Sequence, residues 1–189
     1  MKPGYNTTQE LWDKVPDEVC RKTAEFMRPT MNHKWPVYFA DVGERNKKIE
    51  MIQDIFNIKA YTLNANDFNF DNLNFIDSKF DIITCYEVLE HLTNPAFLLK
   101  NIVDRLKPNG VLFLSTPGRP KWMWSNDIHF HEIDDKRLKR WLFEPLGLEV
   151  VRQGKINMYY PRWRMWLGIR PMIRRFYCNT NIYELRLKR

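Results

Sequence analysis

Hydrophobic positions along the chain change period several times, and each change marks an element. Apolar residues in 8–30 recur at helical spacing; Pro16 interrupts them, and Asp17 stands where it would cap the second of two helices. Trp35-Pro36 leads into the apolar run Val37-Tyr38-Phe39-Ala40, which ends in Asp41-Val42-Gly43. A β-rich run closing on a small polar turn, followed by helical spacing across 46–56, predicts a strand–turn–helix unit. Residues 58–63 form a second candidate strand, and the Asn- and Asp-rich stretch 64–79 reads as loop.

The run Phe80-Asp81-Ile82-Ile83-Thr84-Cys85 has the continuous apolar character of a strand buried on both faces. Asn94 at the N-cap and Pro95 at the first helical position open a helix through Leu106, with Phe97, Leu98, Ile102, Val103 and Leu106 on one face. Lys107-Pro108-Asn109-Gly110 is turn chemistry, with Gly110 free to take a positive φ, and 111–116 is the next buried strand. A helix over 134–143, a strand starting over 148–151 and an alternating strand over 181–187 complete the pattern. Alternating strands and helices predict an α/β, Rossmann-like doubly wound sheet, mostly parallel with an antiparallel closing strand and reduced in size. A chain of 189 residues suits one domain, 1–189, with N-terminal helices in 8–32.

The apolar share of 44% and charged share of 28% are those of a soluble globular chain. The opening MKPGYNTTQE lacks the apolar core of a secretory signal, and no apolar run approaches the roughly 20 residues that span a bilayer. Three cysteines (Cys20, Cys85 and Cys178) are odd in number and far apart, suggesting neither a disulfide framework nor a zinc knuckle; a cytoplasmic location is expected. The net charge of +7 is carried by 161–189, where eight basic side chains face one acid, Glu184. The remaining 22 basic and 22 acidic groups cancel.

Five motifs then occur in order: Phe80-Asp81, Glu87-Val88-Leu89-Glu90-His91, the turn from Leu106 to Gly110, Ser115-Thr116-Pro117 and Asp127-Ile128-His129. In this order the stretch from Lys79 to Val151 resembles the class I S-adenosylmethionine-dependent methyltransferases. The resemblance implies S-adenosylmethionine as cofactor, held at the carboxyl ends of the strands. It places Asp41, Gly43 and Glu44 in the nucleotide loop, Asn64 where an acidic residue usually grips the ribose, and Asp67-Phe68 at the adenine. Cys85, Tyr86 and Glu87 follow at the end of the next strand, where carboxylates and aromatic faces suit a sulfonium cation.

The loop departs from the family. The usual acidic-x-Gly-x-Gly-x-Gly is here Asp41-Val42-Gly43-Glu44-Arg45-Asn46-Lys47, with only the first glycine kept, so Arg45 and Lys47 must point away if the cofactor is to fit. The same residues also fit a plain strand end with a turn glycine. The interval from Asp41 to Asp81 is short for the two helices and two strands usual there, which implies one helix lost and a strand clipped or merged.

His129, matching the family's loop histidine, is the candidate base for a hydroxyl acceptor, or else fixes its loop by hydrogen bonds. His91 is the second candidate, with support of the Glu-His turn as its other role. His129 and His131 with Glu132 would suit a metal, but the spacing lacks the specificity of an established zinc signature and no metal ligand is assigned. Trp122 and Trp124 beside Met123 line an acceptor pocket or pack as a lid.

Residues 158–177, MYYPRWRMWLGIRPMIRRFY, interleave five arginines with Trp, Met, Ile and Phe. Such a segment suits an anionic membrane surface, or a lid or dimer face whose arginines are merely solvated, and less well single-stranded RNA. The expected function is methylation of an oxygen on a small or lipid-linked acceptor of sugar or glycan type. The alternatives are a non-catalytic methyltransferase-fold binding protein and an RNA-modifying enzyme, with nucleic acid the less favoured partner.

Overall fold

Local chemistry sets the ends of most elements. The structure, a computed structural model, describes residues 15–32, 37–73, 78–118, 129–130, 133–157 and 179–188. Helix α1 spans Asp17–Met31, and Pro16, not Asp17, is its N-cap, in extended geometry (φ −62°, ψ 140°). Proline's ring already holds the φ needed there, and Asp17 becomes the first helical residue, its carboxylate 2.7 Å from Lys47. Strand β1 (Phe39–Val42) is buried throughout. Helix α2 (Lys47–Phe56) starts on Asn46, whose side chain accepts from the Ile49 amide at 3.1 Å, and ends on Asn57 in the left-handed region.

Strands β2 (Ala60–Leu63) and β3 (Phe80–Tyr86) follow, then a 3₁₀ turn over Leu89–His91 and helix α3 (Pro95–Val103). Asn94 caps α3 as its sequence implies, accepting from the Phe97 amide. The helix ends at Val103, and Leu106 instead opens strand β4 (Leu106–Pro117) by pairing with Phe80. The next pair is Ile82 with Val111, so residues 107–110 bulge out as an excursion within the strand. Gly110 keeps a negative φ there; glycine is needed because a Cβ would stand 2.9 Å from the Lys107 carbonyl oxygen.

The helix expected over 134–143 is split. Asp134 caps a single turn, α4 (Asp135–Leu138), which widens into a π-turn over Lys139–Phe143 and tightens again over Glu144–Leu146. Pro145 lacks an amide hydrogen to continue a regular ladder. Strand β5 (Leu148–Asn157) runs six residues past Val151 and pairs antiparallel with β6 (Asn179–Leu187) from Leu148–Leu187 to Asn157–Asn179, with a bulge at Val151.

The sheet order is β2-β1-β3-β4-β6-β5, parallel through β4 and antiparallel beyond it. Among the described residues, one helix and one strand lie between Asp41 and Asp81, as the short interval implied, leaving β2 at the edge. Successive strand residues face opposite layers. Ile83, Cys85, Leu112 and Leu114 pack with α3 and the 138–143 turns, while Ile82, Phe113 and Ile182 pack with α1 and α2. Full burial of Met27, Ile52 or Leu99 in these layers contributes about 1.5–3 kcal/mol each.

Candidate active site

The carboxyl ends of β1 and β3 lie side by side, with Asp41 in register with Thr84. The Thr84 hydroxyl donates to Asp41 Oδ1 at 2.5 Å. Burial pushes the Asp41 carboxyl up to about 7, against the lowering influence of Thr84 and of the Lys48 ammonium. Two residues on, Gly43 has φ +117°, a conformation that side chains rarely adopt, and its amide donates to the Leu63 carbonyl at 3.0 Å. A Cβ placed on Gly43 would meet nothing within 4 Å, so the backbone here borders open space.

The two cations that sequence required to turn away do so. Arg45 reaches Glu50 at 2.9 Å and Lys47 reaches Asp17 at 2.7 Å, on exposed surface in both cases. Glu44 is exposed, and its carbonyl accepts from the Asn46 side chain. Lys48 behaves differently: it is buried, with its ammonium 5.0 Å from the centre of the Tyr86 ring. Burial pulls its pKa down, and the charges of Glu87, Cys20, Asp41 and Glu90 act to raise it.

At the end of β3, Cys85 and Tyr86 are buried, and burial raises both their pKa values. The Tyr86 hydroxyl donates to Met27 Sδ at 3.1 Å. Glu87 is a non-glycine residue at φ +55°, held by Ser115, which accepts from its amide (3.1 Å) and donates through its hydroxyl to Oε1 (2.8 Å). Such backbone strain, of order 1–3 kcal/mol, persists where the surroundings over-determine it. Glu87 thus both supports the turn and presents a carboxylate to Lys48.

Glu90, three residues on, is buried with neither carboxylate oxygen hydrogen-bonded among the described residues. Burial, and the carboxylate of Glu87 beside it, hold its pKa well above the usual carboxylate range. The His91 and His129 rings meet edge to face with centres 4.8 Å apart. Glu90, His91 and His129 each offer one ligand atom, and these atoms lie within 4.8 Å of one another, so the trio can hold a metal ion. Of the set that spacing suggested, His131 and Glu132 lie outside the described residues, as do Trp122, Trp124 and 158–177.

Asn64 sits just past β2, its side-chain oxygen accepting from the Ala65 amide. The Asp67 carboxylate closes its own turn on Asn69, and Asn69 Oδ1 ties that turn to Thr93 and Asn94. Phe68 packs against the core. Sequence reasoning missed Lys48 and assigned no role to Glu90, Thr84 or Ser115. Lys48 carried a signal: it lies one helical turn before Ile52, where an apolar residue would be expected.

A family profile described as "Methyltransferase domain" matches residues 18–166. The chain belongs to the methyltransferase-domain family. The methyltransferase family and the Rossmann-like sheet, both implied by the motifs of 80–129, are borne out.

The ubiquinone biosynthesis O-methyltransferase of Saccharomyces cerevisiae is 29% identical over 154 residues, 69% of this chain and 49% of that protein. The ubiquinone biosynthesis O-methyltransferase of Pasteurella multocida is 47% identical over 49 residues, 26% of this chain and 20% of that protein. The chain therefore spans about half or less of these relatives' length. Among solved structures, the Burkholderia thailandensis 1,6-didemethyltoxoflavin-N1-methyltransferase, with its substrate and S-adenosylhomocysteine bound, superposes at TM-score 0.63 and 12% identity, over 98% of this chain and 84% of that one. The O-methyltransferase of a Brevibacillus brevis trans-AT PKS multienzyme, bound to S-adenosyl-L-homocysteine, gives 0.57 at 13% identity, over 90% and 72%. At these identities the likeness is one of fold. The open space beside Gly43 at the end of β1 fits the close backbone approach that a nucleoside-bearing cofactor requires.

Proposed function

We propose that the protein transfers a methyl group from S-adenosylmethionine to an oxygen of a small or lipid-linked acceptor. The observation that carries this is the placement of the open cradle at Gly43, of Asp41 and of Glu87 at the adjacent carboxyl ends of β1 and β3, with the His91–His129 pair just beyond. The cofactor supplies an electrophilic methyl on a positively charged sulfur. Asp41 and the Gly43 backbone hold its nucleoside end, and Tyr86 and Glu87 offer the ring face and carboxylate that favour a cation. His129 would take the proton that the acceptor hydroxyl loses as its oxygen gains the methyl, and the His91 ring stands edge to face with it.

A second reading of the same residues is favoured by the orphaned Glu90 oxygens: Glu90, His91 and His129 would hold a divalent cation, which would supply Lewis-acid polarisation of an acceptor hydroxyl. A chelator would abolish transfer in that case, with recovery on adding zinc or manganese, and would leave it unchanged if His129 acts alone.

Oxygen as the receiving atom is supported by the names of the curated relatives. A membrane-associated acceptor, of sugar or glycan type in the first instance, is supported by the composition of 158–177. That segment joins Asn157 to Asn179, and β6 there begins beside Pro117 at the carboxyl end of β4. No helix among the described residues is long and apolar enough to cross a membrane. Calorimetric titration with S-adenosylhomocysteine gives saturable heat if the cofactor reading is right; no heat at millimolar ligand removes it.

A further inference from the structure

At the carboxyl end of the sheet, the motif Ser115-Thr116-Pro117 is left without a task by the methyl-transfer reading. Ser115 stands opposite Tyr86 in the parallel pairing of β3 and β4 and is 2% exposed, so its hydroxyl needs a partner inside the protein. That partner is Glu87 Oε1, at 2.8 Å. The Ser115 carbonyl separately accepts from the Glu87 amide at 3.1 Å. Two different groups of one residue thus fix the backbone and the carboxylate of Glu87. The backbone bond holds the turn at φ +55°, where glycine or asparagine would sit at less cost. The side-chain bond is not needed to close the turn, which the amide and carbonyl already do. It fixes where the carboxylate points.

We propose that Ser115 is a positioning residue for the cofactor, its hydroxyl aiming the Glu87 carboxylate at the sulfonium of S-adenosylmethionine. The inference rests on the reading of Glu87 as the carboxylate beside the cofactor's charged sulfur, and deepens it. A glutamate side chain left to itself samples several rotamers. In a partly buried site, each ångström that its charge retreats from contact range weakens the hold on a cation by about fourfold. A hydrogen bond from a buried strand residue removes that freedom before the ligand arrives. The element behind the hydroxyl is rigid, since β4 is paired on both sides here, Ser115 with Tyr86 of β3 and with Ile182 of β6. S-adenosylhomocysteine carries the same nucleoside and amino-acid parts on a neutral sulfur. The aim of Glu87 therefore matters, through the sulfur, to one ligand only.

The test is calorimetric titration of both ligands into the wild type, Ser115→Ala, Glu87→Gln and the double variant at one pH and salt concentration. Ser115→Ala deletes the hydroxyl and keeps the carbonyl that holds the turn. It is expected to weaken S-adenosylmethionine by about fourfold or more and S-adenosylhomocysteine by less than about twofold. In Glu87→Gln the amide oxygen still accepts from Ser115 but the charge is gone, so S-adenosylmethionine weakens by at least as much. Adding Ser115→Ala to Glu87→Gln brings no further loss of S-adenosylmethionine affinity, because no charge remains to be aimed. Ser115→Cys, close to serine in volume and a weak donor, takes the place of alanine if that variant does not fold, and the same selective loss is expected of it. An unchanged affinity for S-adenosylmethionine in the Ser115 variant, an equal loss for both ligands, or a loss that recurs in full on top of Glu87→Gln overturns the inference while the cofactor reading stands. Failure of both ligands to bind the wild type overturns the cofactor reading, and this inference with it.

Discussion

Replacing Asp41 with asparagine should make the protein more stable at alkaline pH and change little at acid pH. Burial raises the Asp41 carboxyl from 3.8 to about 7, roughly three units. At about 1.4 kcal/mol per unit, ionised Asp41 destabilises the fold by about 4 kcal/mol at most above pH 7. The sign follows from proton binding. Between the unfolded value near 4 and the folded value near 7 the native state holds the extra proton, so stability falls as pH rises through that window and levels off above it. Between pH 5 and pH 8 the wild type should lose about 2–3 kcal/mol relative to Asp41→Asn, whose amide oxygen still accepts from Thr84 and cannot ionise. Urea unfolding of both proteins at several pH values supplies the comparison, and the titration of Glu90, common to both, drops out. A stability difference that stays constant across the range, or that moves in the wild type's favour as pH rises, refutes burial as the controlling influence on Asp41.

Gly43→Ala should lose about 1–3 kcal/mol in urea unfolding from the φ of +117° alone, since no neighbour lies in the way of the new Cβ. The same variant should bind S-adenosylhomocysteine about tenfold more weakly or worse, because the methyl enters the space assigned to the ligand. Glu184 is buried and accepts from Thr30 at 2.8 Å, Arg152 at 2.7 Å and Arg186 at 3.0 Å. Glu184→Gln should lose roughly 2–3 kcal/mol, below the range for a fully buried pair because both arginines are partly exposed. Burial raises the Glu184 pKa, but Thr30, Arg186 and Arg152 outweigh it and hold it below its ordinary value. Its stabilisation is therefore complete at neutral pH and disappears as pH falls through the folded value, a loss the glutamine variant should lack. Flotation of the full chain with anionic vesicles should fail on replacing Trp163 and Trp166 with alanine; equal flotation with neutral vesicles would remove the arginines from the account.

Strand identity was legible because strands buried on both faces write themselves as apolar runs, and Phe80 to Cys85 needs no partner to be recognised. Caps were legible where a side chain does the capping, as at Asn94. They were not where a proline's fixed φ does it, as at Pro16. The break at Lys139 was hidden because a π-turn keeps nearly the same apolar spacing as an α-helix over one or two turns. In the site, the loop and the Glu-x-x-Glu-His string gave Asp41, Gly43, Glu87 and His91 their places, since each lies beside a turn that the motif itself encodes. Lys48 and Ser115 were harder, because their significance depends on what the sheet brings opposite them. The contact of His129 with His91 joins residues 38 positions apart and has no local signature.

The bulge at Val151 also bears on how the molecule avoids its own copies. A strand at a sheet's rim offers unpaired amide and carbonyl groups to any passing strand. At one rim, β2 is only four residues long. At the other, β5 is ten residues long, and the extra residue at Val151 breaks its straight run near the middle, with Glu149 exposed before it and Gln153 and Lys155 after it. A second chain laid along this rim would lose register at Val151 and would have to pass polar or charged side chains on either side. A long antiparallel hairpin can thus form the border of the sheet without serving as a template for fibre growth.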